Sequence, residues 1–281
     1  MPPFLYVCTS VWADGKRLLP RALNTGSGQL YNQAAANNRT ERRQMMKAGP
    51  RIKVTKDGPY EVHNIDRIMR YQIIPDDEGA SEEYRADRKY DVAQNPVYVC
   101  RCGRTHRAPF CDGSHAAAGW DGEESAGFAP LEDGAEYFEG PNLRLADNPK
   151  FCAYARFCDA KGRVWNLINA GNDRADKQAI REAMLCPAGR LVMYDKESGE
   201  AYEPEYEPEV AVLEDPVIEA SGPVFVKGGI EVESASGRSY EVRNRQTLCR
   251  CGRSHNKPFC DGSHAAQPVF KAAGEGENSE A

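Results

Sequence analysis

Cys100-Arg-Cys102-Gly-Arg-Thr-His-Arg-Ala-Pro-Phe-Cys111-Asp-Gly-Ser-His115 recurs as Cys249-Arg-Cys251-Gly-Arg-Ser-His-Asn-Lys-Pro-Phe-Cys260-Asp-Gly-Ser-His264. The copies are identical at 13 of 16 positions and share the spacing C-x-C-x8-C-x3-H. Every shared Cys and His is a transition-metal donor, so the chain reads as two sites, each with three thiolates and one imidazole. That donor set admits two readings. One is structural zinc in tetrahedral geometry. The other is an iron–sulfur cluster in which His replaces Cys on one iron. Zinc sites commonly use C-x2–4-C pairs, whose loop wraps a single ion. The tighter C-x-C pair suits two thiolates on one iron, with the Cys and His of C-D-G-S-H on the other. In an intracellular chain such groupings point to metal rather than to disulfides.

Cys-Asp-Gly-Ser-His is the signature of the CDGSH iron–sulfur proteins, the mitoNEET-like family, and the chain resembles that family twice. The family pattern C-x-C-x2-[ST]-x3-P-x-C-D-G-x-H is met in full over 100–115 and over 249–264. The resemblance implies two [2Fe–2S] clusters with 3Cys:1His ligation. It implies the ligand sets Cys100, Cys102, Cys111, His115 and Cys249, Cys251, Cys260, His264. The flanking cations Arg101, Arg104, Arg107 and Arg250, Arg253, Lys257 would favour a reduced, more anionic cluster. Thr105 and Ser254 hold the family's hydroxyl position and are candidate donors to cluster sulfur. Asp112 and Asp261 are expected as N-caps of short helices opened by Gly-Ser-His-Ala-Ala, which would set His115 and His264 at the positive helix end. His106 and His255 match no ligand position. A free imidazole titrates near neutrality, so a proton competes with iron for His115 and His264, and acid is expected to loosen the clusters.

Composition narrows the function. The chain has 281 residues, 41% hydrophobic and 28% charged, with net charge −6. That is a globular composition with room for about two domains. The acidic balance argues against nucleic acid as a partner, and no apolar run is long enough for a membrane span. Six of the ten cysteines lie in the two motifs. A reducing compartment is therefore expected, the cytoplasm or alternatively an organelle matrix.

The chain divides into five stretches. Residues 1–48 are a basic N-terminal extension, with seven Lys/Arg against Asp14 and Glu41; a helix is expected over 29–46, and Cys8 is expected to be structural. Residues 49–120 form the first CDGSH module. Its lead over 51–62 alternates apolar and polar residues around Asp57-Gly58 and predicts a β-hairpin. Strands are expected at 71–74 and 97–99, and a charged loop over 75–95. Residues 121–215 form a middle module with a helix over 173–185 capped by Asn172, a strand at 191–194 and an extended acidic spacer over 200–209. Residues 216–270 form the second CDGSH module, with strand–turn–strand over 224–232 and a strand at 239–242. Residues 271–281 read as a disordered tail.

Cys152-Ala-Tyr-Ala-Arg-Phe-Cys158, Trp165 and Cys186-Pro187-Ala-Gly-Arg-Leu191 resemble the divergent single-cluster ferredoxin domain. The resemblance implies a third cluster, [4Fe–4S] or [3Fe–4S], at Cys152, Cys158 and Cys186. The chain departs from it in having Tyr154 where His is often found, and in offering three cysteines; Asp159 or water would complete a four-iron set. A cluster-free domain with three buried thiols is the alternative.

The expected fold is α+β, small β-rich CDGSH modules around a ferredoxin-like middle module. Each CDGSH module is too small for a large core, and the two are expected to pack as an intrachain pseudo-dimer. The expected function is electron transfer or iron–sulfur cluster transfer, with redox or pH sensing as a variant. The partner would be a redox protein or a cluster donor or acceptor. The competing class is a zinc-braced protein-binding module without redox activity. No nucleophile–base pair or phosphate loop marks an enzyme with its own substrate.

Overall fold

The alternation over 51–62 forms the predicted hairpin. β3 (Arg51–Val54) and β4 (Tyr60–His63) pair antiparallel, Ile52 opposite Val62 and Val54 opposite Tyr60, and all four side chains are buried. The computed structural model describes residues 12–13, 16–17 and 49–266. The first four form an antiparallel ribbon, β1 (Trp12–Ala13) with β2 (Lys16–Arg17), in a unit of its own. The expected helix over 29–46, Cys8 and the tail over 271–281 lie outside the described residues.

Beyond the hairpin the two motif copies exchange strands. β7 (Val97–Val99) pairs with β4, and β14 (Glu231–Glu233), from the second copy, joins β3 in parallel. The resulting sheet runs β14-β3-β4-β7. In the other sheet β12 (Glu209–Asp215), β13 (Ala220–Lys227) and β15 (Arg245–Leu248) belong to the second half. β5 (Arg67–Pro75), from the first, joins β12 in parallel and pairs on its other side with β6 (Ser81–Asp91), giving the order β15-β13-β12-β5-β6. Each half therefore gives the strand that follows its hairpin to the other half's sheet. The sheets share one apolar core of Ile52, Val54, Tyr60, Val62, Val210, Val212, Val224, Val226, Val232 and Leu248. The opposite face of the five-stranded sheet is covered too: Tyr206 packs on Phe225, and Phe157 and Leu185 pack with Tyr84. That explains the nearly unbroken burial of β12 and β13, as in strands covered on both faces.

Two sequence expectations need correction. The stretch over 75–95 is not a loop: β6 (Ser81–Asp91) pairs with β5 along its length. It is an edge strand, and edge strands carry charges that discourage further pairing, which disguised it. The strand expected at 239–242 is reduced to a single bridge between Ser239 and Glu233, and the ladder strand before Cys249 is β15. Arg245-Gln-Thr-Leu has no alternation because all four residues are buried.

The middle segment builds an antiparallel sheet in the order β11-β10-β9-β8, from β8 (Glu136–Glu139), β9 (Leu143–Asp147), β10 (Leu191–Asp195) and β11 (Ala201–Tyr202). A one-turn α2 (Val164–Leu167) follows the short α1 (Ser114–Ala117) in chain order, and α3 (Asp173–Met184) packs on β10. α3 starts where the sequence places it, with the Asn172 side chain accepting from the Ala175 amide at 3.1 Å. Ala179 and Ala183 join Leu145, Ile168, Leu191 and Met193 in its core. The described chain is sheet-rich with few helices, and none of those helices is long and apolar enough to cross a membrane.

Arg245 staples this segment to β15. Its guanidinium donates to the carbonyls of Ala183 (2.7 Å), Met184 (3.0 Å) and Cys186 (2.9 Å) and pairs with Glu203. Those carbonyls end α3, where a cation is favoured. Arg245→Met leaves buried acceptors unpaired, and we expect a loss of about 3 kcal/mol, read as a lower urea midpoint at unchanged slope.

Candidate metal centres

Each motif follows a strand that borders the core, β7 or β15, and turns back on itself. The Cys100 amide donates to the Pro109 carbonyl at 2.9 Å, and the Cys249 amide to that of Pro258 at 2.7 Å. Phe110 and Phe259 bridge back to Val99 and Leu248, closing the loop between the C-x-C pair and C-D-G-S-H. The loops meet at a backbone bridge between Cys102 and Cys251.

The donors stand in pairs. The sulfurs of Cys100 and Cys102 are 3.7 Å apart, and so are those of Cys249 and Cys251. The Cys111 sulfur lies 3.4 Å from His115 Nδ1, and the Cys260 sulfur 3.5 Å from His264 Nδ1. A tetrahedral metal holding sulfur at about 2.3 Å and imidazole nitrogen at about 2.0 Å separates two thiolates by about 3.8 Å, and thiolate from imidazole by about 3.5 Å. Each pair thus has the spacing of two ligands on one metal. Among the described residues, no three His, Cys, Asp or Glu side chains converge on a single ion site.

Backbone N–H groups face the sulfurs. Cys100 is lowered to about 6, first by Cys102 beside it and then by the amides of Thr105 and Gly103, against the effect of burial. Cys249 is likewise lowered to about 6, first by Cys251 and then by the amides of Ser254 and Gly252. Each C-x-C pair therefore holds one ready thiolate, the form that binds metal. Burial raises Cys111 and Cys260. Burial also lowers His264 to about 4, helped by Arg250 and opposed by Asp215 and Asp261. It is thus neutral at ordinary pH, as a metal-binding imidazole must be.

The structure reassigns several neighbours. The Thr105 hydroxyl donates to the Phe110 carbonyl, and that of Ser254 to the Phe259 carbonyl, both at 2.7 Å. These hydroxyls therefore brace the loop, and it is the amides of the same residues that face sulfur. Nor is Asp112 a helix cap. The N-cap of α1 is Gly113 at φ +88°, without a side-chain cap. Asp112 accepts from the His106 amide (2.8 Å) and from the Ser114 amide (3.0 Å), tying the two arms of the loop together. Asp261 does the same with His255 (2.8 Å) and Ser263 (3.0 Å). α1 and its counterpart α4 (Ser263–Ala266) are single turns, too short for an appreciable dipole at the histidines. His106 and His255 are exposed and stand beside those Asp carboxylates.

Of the flanking cations, Arg101 and Arg250 are buried, whereas Arg104, Arg107 and Arg253 are exposed. Arg101 donates to the carbonyls of Gly58, Gly122 and Thr55 and stacks on Trp120. Arg250 donates to the Gly222 carbonyl and to Glu214. Both hold the C-x-C turn to the sheets. Sequence reasoning missed Tyr60, whose hydroxyl lies 2.8 Å and 3.0 Å from the carbonyls of Cys249 and Pro258. No local pattern marks a residue that supports a loop 189 positions away.

In the middle segment Cys152 is half-buried and Cys186 buried; Cys158 is pushed up to about 12 by burial, with Cys186 as the next contributor. Cys158 and Cys186 join one apolar core together with Cys260. Asp159, the candidate extra ligand, pairs with Arg163 at 2.7 Å.

These arrangements agree with what the chain matches. It matches family models in three places. Residues 57–116 and 221–265 match the family described as iron-binding zinc finger CDGSH type, and residues 138–196 match the divergent 4Fe-4S mono-cluster family. Searches of curated proteins and of solved structures gave no match.

Asp112→Ala should release the loop arms, and exchange of the His106 and Ser114 amides should rise on the order of tenfold. Peptide-resolved hydrogen exchange reads this, with amides of the middle sheet as unchanged controls.

Proposed function

We propose that the chain binds two [2Fe–2S] clusters, one at Cys100, Cys102, Cys111 and His115 and one at Cys249, Cys251, Cys260 and His264, and that it works in electron transfer or cluster transfer. The pairing of the donors carries this reading. Two pairs in each motif, each spaced for one metal, fit two irons better than one zinc. A bound cluster supplies one-electron chemistry. The protein supplies one ready thiolate per C-x-C pair, amides aimed at the sulfurs, and a neutral imidazole. The strand exchange and the Cys102–Cys251 bridge support reading the halves as an intrachain pseudo-dimer. In that reading the CDGSH modules over 49–120 and 216–270 are units of ligation, interlocked as they fold, with the middle module over 121–215 between them. The partner is a redox protein or a cluster donor or acceptor. The nine described cysteines are all free, which fits a reducing compartment.

Protein purified without air should be red, bleach with dithionite, and hold about four iron and four sulfide per chain. Several further iron would assign a third cluster to Cys152, Cys158 and Cys186. Stoichiometric zinc without sulfide would overturn the reading in favour of a structural binding module.

A further inference from the structure

The two motifs are near-copies, yet their surroundings differ. Cys260 and His264 are 2% and 3% exposed, whereas Cys111 and His115 are only half-buried. The difference comes from the segment around Cys152 to Arg156. A methyl group built on Gly113 would meet nothing within 4 Å; on Gly262 it would stand 3.1 Å from the Cys152 carbonyl oxygen and 3.3 Å from Cβ of Tyr154. Phe151 packs on Phe259 with ring centroids 5.2 Å apart. Asn256 donates to the Lys150 carbonyl at 3.1 Å, and Arg107 occupies the matching place in the first motif. Arg156 anchors the covering segment to the second half through two bonds to Asp215, at 2.6 Å and 3.1 Å.

The second loop is also held from below and from the side. Tyr60 reaches the Cys249 and Pro258 carbonyls. Val224, which follows Gly222-Pro223 as Tyr60 follows Gly58-Pro59, has no hydroxyl to offer the first loop. Ser125 and Ala126 donate their amides to the Lys257 carbonyl, at 2.9 Å and 2.8 Å, and the Ser125 hydroxyl donates to the His255 carbonyl at 2.8 Å.

We propose that the two sites divide the work: the site at Cys249 to His264 retains its cluster under a cover made by residues 150–156, and the site at Cys100 to His115 is where a cluster is gained and lost. This rests on the cluster-binding reading above. Reaching the second ligand set requires a local opening that breaks the Arg156–Asp215 pair and the Phe151–Phe259 contact, whereas the Cys111–His115 pair already faces solvent.

The test uses the full chain, loaded with iron and sulfide, with bathophenanthroline disulfonate as the ferrous chelator and dithionite as reductant. Loss of an oxidised cluster consumes two electrons, taking two Fe(III) to chelated Fe(II). It leaves two sulfide ions in solution and three protein thiolates that take up protons. Aliquots are alkylated with excess iodoacetamide and the cysteine peptides quantified. The absorbance of the chelated Fe(II) should rise in two equal phases, with alkylation of Cys100, Cys102 and Cys111 following the fast one. Cys249, Cys251 and Cys260 should follow the slow one, about tenfold slower or more. Arg156→Ala and Tyr60→Phe should each speed the slow phase and leave the fast phase alone. One common phase, or earlier labelling of Cys260, overturns the division of labour while leaving cluster binding intact; a slow phase unmoved by Arg156→Ala overturns the cover. Failure to take up iron and sulfide overturns the cluster-binding reading and this proposal with it.

Discussion

Neither sheet is complete without strands from both halves. β14 must reach β3 and β5 must reach β12 before either sheet has its observed width. Both contacts are parallel, so no tight turn can make them, and each needs a long connection. The middle segment lies within the connection from β7 to β12. The apolar core between the sheets draws on both halves at once, and the ligand loops stand on the strands that border it. A small β-rich module with its own sheet would have too little interior to hold such loops rigidly. Interlocking two halves supplies one core for both.

The candidate metal centres were legible because their chemistry is local. Six thiols and two imidazoles at repeated spacing mark the candidate donors, and the paired distances follow from the tightness of C-x-C and of C-x3-H. Elements with simple periodicity were legible for a similar reason. The hairpin of Tyr60 and Ile52 alternates, and α3 announces itself through Asn172 and the apolar Ala175, Ile180 and Ala183 among charged residues. What escaped was whatever depends on distant partners. β6 reads as charged loop because an edge strand shows its polar residues to water. β15 has no pattern because both its faces are covered. Thr105 and Asp112 lie beside the candidate ligands, but they bond to the backbone of their own loop.

The middle segment covers the second motif copy and leaves the first open. Cys152, Tyr154 and Phe151 are recruited by packing: an aromatic face, a carbonyl and a backbone segment laid over a glycine that must stay small. Arg156 and Arg245 fix that arrangement with charge, one on a buried carboxylate and one on the carbonyls that end α3. Side chains outside the two motifs thus decide how much water and how much protein each candidate donor sees, and with it how readily it ionises.

Joining both halves in one polypeptide also changes what mutation can do. In an assembly of two identical chains every substitution is made twice, and a residue that improves one face is imposed on its mate. Here Tyr60 and Val224 occupy matching places with different chemistry, and Asn256 and Arg107 do the same within the motifs themselves. Two halves in one chain need not be symmetric, so each can change alone while their interlocked sheets keep them inseparable.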